Sequence, residues 1–164
     1  MDSCYDASGQ PVAKEVSVMQ SLTLAIASLI VDKSLEKARE MNFSPLTVAV
    51  LDAGGHLVAL KREDKSSLLR PEIATGKAWG VLGMGLGGRE LNRRAAKVPV
   101  FFGALSELSG GRMVPMPGGV IVRSSSGDIL GSVGISGGAP EQDELCAVYG
   151  IKAAGLVPDT GDKE

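Results

Sequence analysis

Aromatic residues are scarce in this chain, with three Phe, two Tyr and one Trp among 164 residues that include 22 glycines. The core must therefore be built from Val, Leu, Ile, Ala and Met, with backbones approaching closely where glycines cluster. Aromatic stacking platforms are not expected, given the same shortage. Basic residues show no excess either: 17 Lys and Arg against 19 Asp and Glu leave a net charge of −2. That balance lacks the electrostatic footprint of a nucleic-acid binder. Cysteine is confined to Cys4, in an expected tail, and Cys146, in an expected helix. Two such thiols fit a reduced, cytoplasmic setting and exclude a disulfide framework. The longest apolar run, Leu22 to Val31, is too short to cross a bilayer, has no basic flank and leads into Asp32 and Lys33. No membrane segment is expected.

What is present fits one domain, since 164 residues with 44% hydrophobic and 22% charged composition can bury a single good core. Residues 1–20 lack sustained periodicity and read as an N-terminal tail or arm, residues 21–157 as the domain, and residues 158–164 as a C-terminal tail. Ser21 or Thr23 caps a predicted helix to about Met41. Leu46–Leu51 and Leu57–Lys61 flank Asp52-Ala53-Gly54-Gly55-His56 as a hairpin. Pro71 opens a helix to about Leu82, glycines 83, 85, 87 and 88 break it, and Arg89–Ala96 and Val100–Leu108 read as short helices. A second hairpin pairs Gly119–Arg123 with Asp128–Ser136, and Pro140 starts a last helix to about Ala154. This order excludes a βαβ alternation and predicts an α+β fold of two layers, an antiparallel sheet with helices packed against it.

Two literal motifs fail on context or partners. Gly83, Gly85 and Gly88 spell G-x-G-x-x-G, but after a helix instead of a strand, where no pyrophosphate would meet a helix N-terminus. Gly134-Ile135-Ser136-Gly137-Gly138 spells G-x-S-x-G between a strand and a helix, as a nucleophile elbow requires. Its only available base, His56, precedes the serine and belongs to the other hairpin. The plainer reading makes Ser136 and Gly137 part of a turn whose N–H groups face a neutral ligand, a cation or another subunit, since Glu141 and Asp143 already answer the positive end of the helix. His56, at a turn, could ligate a metal or haem iron or simply face solvent, and it lacks the second nitrogen or sulfur ligand of a tight metal cage. Lys77, among small residues, must be a functional cation or the partner of a carboxylate. Arg62 belongs to a charge run, and could clamp a carboxylate bidentately.

Residues 48–59 (Val-Ala-Val-Leu-Asp-Ala-Gly-Gly-His-Leu-Val-Ala), the Lys77-Ala78 helix, Pro117-Gly118-Gly119-Val120 and Gly131 through Glu144 together resemble the GlcG/HbpS-like haem-degrading-domain family, which includes the C-terminal domain of PduO-type proteins. The resemblance covers about residues 20–156. It implies a profilin-like or PAS-like fold with an antiparallel sheet of about five strands flanked by helices, and homo-oligomers from dimer up to octamer. It also implies haem or another tetrapyrrole as ligand, with degradation in some members. Family members often carry Arg-Met-Asp-Gly-Ala after the first hairpin. Here the stretch is Arg62-Glu63-Asp64-Lys65-Ser66, which makes that rim more polar.

Three functions follow as expectations. The first is a small-molecule binder with a site near His56, Arg62, Lys77, Pro117, Gly118, Gly119, Ser136 and Gly137, in which His56 meets haem iron and Arg62 or Lys77 pairs a propionate. The second is a cofactor-independent isomerase or tautomerase of a small carboxylated metabolite, with Asp52 or Glu141 moving the proton and Lys77 or Arg62 holding the carboxylate. The third is a non-catalytic oligomeric assembly or sensor domain. The sequence selects no reaction among them.

Overall fold

The structure, a computed structural model, describes residues 21–162; the expected N-terminal arm and Cys4 lie outside the described residues. Its elements are α1 (Leu24–Glu40), β1 (Thr47–Asp52), β2 (Leu57–Arg62), α2 (Arg70–Met84), α3 (Gly88–Lys97), α4 (Pro99–Leu108), β3 (Gly119–Arg123), β4 (Ile129–Ser136), α5 (Pro140–Ala153) and β5 (Val157–Asp159). Local chemistry accounts for most of the boundaries. Thr23 Oγ1 accepts the Ile26 N–H at 3.3 Å to cap α1. Pro71 and Pro140 lie in the first turns of α2 and α5, where a missing N–H costs nothing. Gly85, at φ 62°, ends α2 in the left-handed region that favours glycine.

The five strands form one antiparallel sheet in the order β2-β1-β4-β3-β5. Its centre is the β1/β4 pair, in register from Thr47 opposite Ser136 to Asp52 opposite Gly131. Alternation along the strands divides the core. Val48, Val50, Val120, Val122, Val133 and Ile135 point to one side, into a cluster with Ala27, Ile30 and Val31 of α1 and Cys146, Ala147 and Ile151 of α5. On the other side lies α2: a Cβ at Gly134 would fall 1.9 Å from the Ala74 carbonyl oxygen, and one at Gly119 would fall 2.6 Å from that of Lys77. Ser132 Oγ donates to the Ala78 carbonyl at 2.8 Å on that same side. The α+β class and the antiparallel five-stranded sheet are as expected. The count of two layers needs correction, because helices cover both faces and make a third layer. Glycine and serine on the α2 side of β4 let that helix sit close without an apolar stripe to announce it.

A second difference is the chain end. Residues 158–162, expected in a tail, are held in place. Pro158 and Asp159 pair with Val122 and Ile121, the Thr160 carbonyl accepts the Arg89 N–H at 3.0 Å, and Arg93 Nη2 donates to the Gly161 carbonyl at 2.6 Å. Three residues that include a proline carry too little periodicity to announce a strand.

Candidate functional site

The residues singled out in the sequence separate into a buried locus, a clamped loop and an exposed turn. At the buried locus the middle of α2 meets the start of β3 and the first turn of α5. Lys77 Nζ lies 2.8 Å from Asp143 Oδ2, with only 6% and 2% of the two side chains exposed. Asp143 Oδ1 accepts the Gly138 N–H at 2.9 Å. Gly118, at φ 94°, leaves the room this pair needs: a Cβ there would stand 3.0 Å from Lys77 Nζ. Burial pushes the Asp143 carboxyl above the usual range by more than the Lys77 ammonium and the Gly138 N–H pull it down. Gly118 and Gly119 thus pack against Lys77 beside an internal ion pair, while Pro117 lines the surface with Arg89, Arg93 and Glu141.

Ser136 lies near this end, buried, with its Oγ accepting from Arg70 Nη1 at 3.1 Å. The register that sets Ser136 opposite Thr47 puts Asp52 and His56 at the far end of β1, so the serine and the histidine do not meet and no Ser-His pair forms. Gly137 follows in the turn toward α5, and Glu141 is exposed on that helix. Gly85 ends α2 and Gly88 opens α3, packed against the Gly119 carbonyl, while Gly83 remains within α2. Arg62 directs Nε and Nη2 to the Ser66 carbonyl and clamps the loop after β2, while Ser66 Oγ lies 3.0 Å from Thr47 Oγ1.

The turn between β1 and β2 holds His56 with 82% of its side chain exposed and its Nδ1 3.3 Å from Asp52 Oδ1. That same oxygen accepts the N–H groups of Gly54 and His56, each at 2.9 Å. These bonds, the one from His56 foremost, hold Asp52 below the usual carboxylate range. A carboxylate facing Nδ1 is the arrangement that fixes an imidazole tautomer and leaves Nε2 for a ligand.

Beside this turn runs a groove that sequence reasoning missed. A Cβ at Gly55 would stand 3.3 Å from Trp79 Nε1, and Trp79 lines an open groove of about 380 Å³ between α2 and the loop after α4. Pro71, Thr75 and Gly76 form the α2 side, and Gly110, Gly111 and Arg112 the loop side. The Arg112 guanidinium lies 4.5 Å from the centroid of the Trp79 ring. This volume is within the range of small-molecule sites. Its one sequence signal was the solitary Trp, because the partner arginine is 33 positions away. Among the described residues no cluster of three or more His, Cys, Asp or Glu could hold a bare metal ion. A porphyrin brings its own equatorial nitrogens and asks the protein only for axial donors. An exposed imidazole, at a turn whose Gly55 abuts the Trp79 that lines the groove, fits that demand.

Residues 22–152 match the family model described as haem degrading protein HbpS-like. The chain belongs to the HbpS-like family. Among HbpS-like relatives, GlcG of Escherichia coli K12 is 34% identical over 115 residues, 70% of this chain and 81% of GlcG. The corrinoid adenosyltransferase PduO of Salmonella typhimurium is 28% identical over 149 residues. That match covers 91% of this chain and only 44% of PduO, so the alignment concerns less than half of that protein. Among solved structures, the PduOC:haem complex superposes with a TM-score of 0.76 at 27% identity, covering 87% of this chain and 99% of that one. No described helix is long and apolar enough to cross a membrane.

Proposed function

We propose that this HbpS-like protein binds a tetrapyrrole, haem first, in the groove beside Trp79, with His56 Nε2 as an axial donor. The observation that carries the reading is the solved relative PduOC, a complex with haem that aligns over nearly all of its own length. Local geometry supports it: Asp52 orients the imidazole, and the His56 turn abuts the indole that lines the groove. The test is a Soret titration of wild type and His56→Ala. Saturable binding that weakens roughly tenfold or more in His56→Ala, the scale of one strong polar contact, is the expected result. An identical spectrum and affinity in the variant would remove His56 from the iron. Incubating the loaded protein with ascorbate and oxygen separates a carrier, whose Soret band persists, from a degrading enzyme, whose band decays.

A homo-oligomer accompanies this reading. On α4, Val100 and Leu108 are 88% and 84% exposed and Phe101 is exposed beside them, while Phe102 faces the core, so the helix is apolar on both sides. Leu68 and Leu69 add apolar surface just before α2. The isomerase alternative gains nothing from the geometry. Lys77 is committed to Asp143, Asp52 is held ionised at a turn, and Glu141 stands in solvent.

A further inference from the structure

Among the described residues, Arg112 at the mouth of the groove meets no carboxylate. Arg39, Arg89, Arg93, Arg94 and Arg123 each meet a carboxylate, and Arg62 and Arg70 spend terminal nitrogens on the Ser66 carbonyl and Ser136 Oγ. Arg112 donates only through Nε, to the Ser109 carbonyl at 3.0 Å, and its two terminal nitrogens have no partner among the described residues. Its plane is spent on Trp79, at 4.5 Å, a contact that is weak at an exposed site. The guanidinium therefore covers the indole face on which a flat ligand would stack, with its strongest bonding capacity unused.

The chain around it leaves open space beside that side chain. Gly110 and Gly111, at φ 63° and 76°, precede it, and a Cβ on either would meet nothing within 4 Å. Immediately after it the chain is pinned: Met113 is buried, and the Val114 N–H donates to the Gly76 carbonyl at 3.2 Å. Gly110 and Gly111 donate to the Glu107 and Ser106 carbonyls at 2.9 and 2.7 Å, so the backbone is held on both sides of Arg112 and its long side chain is the part that can turn. On the helix side, Glu72 lies two turns before Trp79, about 10 Å along the axis, and also lines the groove. A carboxylate is repelled at the Glu72 end and attracted at the Arg112 end.

We infer that Arg112 is the specificity residue of this groove: it yields the Trp79 face to a planar ring and pairs with a carboxylate on that ring's edge. The inference rests on the tetrapyrrole reading above and adds to it that the preferred ligand carries free carboxylates, oriented toward the loop after α4.

The test compares protoporphyrin IX with its dimethyl ester, the same ring with both carboxylates blocked and no iron, so that His56 ligation plays no part. Binding to the full chain is followed by the Soret band and by the emission of Trp79, the protein's sole tryptophan. Wild type is expected to prefer the diacid, and Arg112→Ala to lose roughly tenfold for the diacid and little for the ester, erasing the preference. Lys152→Ala, which removes an exposed cation elsewhere, is expected to keep the preference. In the unliganded protein Arg112→Ala should also shift Trp79 emission, because the guanidinium leaves its face. If both porphyrins bind and Arg112→Ala keeps the wild-type preference, or if Lys152→Ala loses it equally, the inference falls and the tetrapyrrole reading stands. If wild type binds neither porphyrin nor haem saturably, both fall together.

Discussion

Lys77→Met would leave the Asp143 carboxylate buried without its counter-ion, and the expected cost is about 3–5 kcal/mol in urea unfolding. Adding Asp143→Leu should recover much of that loss, because a pair of apolar residues leaves no stranded charge. A double variant no more stable than Lys77→Met would show that the cost lies in packing. The sequence could say that Lys77 needed a carboxylate. It could not say which one, because the 66 positions between the partners are closed only by the fold. His56 was legible for the opposite reason, since Asp52, Gly54, Gly55 and His56 are consecutive enough for the turn to be written locally.

Glu90 on α3 answers Arg94 at 2.8 Å and Arg93 at 2.8 Å, and these guanidinium contacts hold its carboxyl down to about 2 from 4.5. The stability it adds is present above pH 4.5 and is lost as pH falls toward about 2. Glu90→Gln is therefore expected to flatten the acid limb of a helix-content titration in that window, in low salt most clearly, since the contacts are exposed. No change of slope would assign the acid limb to other carboxylates. Elements whose signals are local were readable in advance: the capped α1, the proline-started α2 and α5, and both hairpins. β5 was not, and neither was the position of α2. Its sheet-facing residues are Ala74, Lys77 and Ala78, which form no conspicuous apolar stripe, and the room for it comes from Gly119 and Gly134 on strands that follow it in the chain. The Trp79–Arg112 groove was hidden for the same reason, because two elements meet there that no short-range pattern joins.

For the molecule as a unit, the apolar outer side of α4 predicts self-association. Light scattering after size exclusion is expected to give a multiple of the 16.9 kDa chain, and Val100→Glu with Phe101→Glu a monomer with an unchanged far-ultraviolet spectrum. A monomeric wild type would reject the prediction. The haem reading would then have to be met by one chain and its open groove. The sheet order carries a different kind of consequence. Val50 pairs with Val133, 83 positions later, so the two central strands come from opposite ends of the domain. During synthesis the first hairpin emerges from the ribosome with one side of β1 unoccupied, and α2 emerges before the β4 backbone on which it will lie. The sheet cannot close until β4 has been made, and residues 159–162 reach α3 later still. Folding of this domain is thereby delayed until its late strands have emerged, and a growing chain depends for longer than a helical bundle would on whatever shields unpaired strands in the cell.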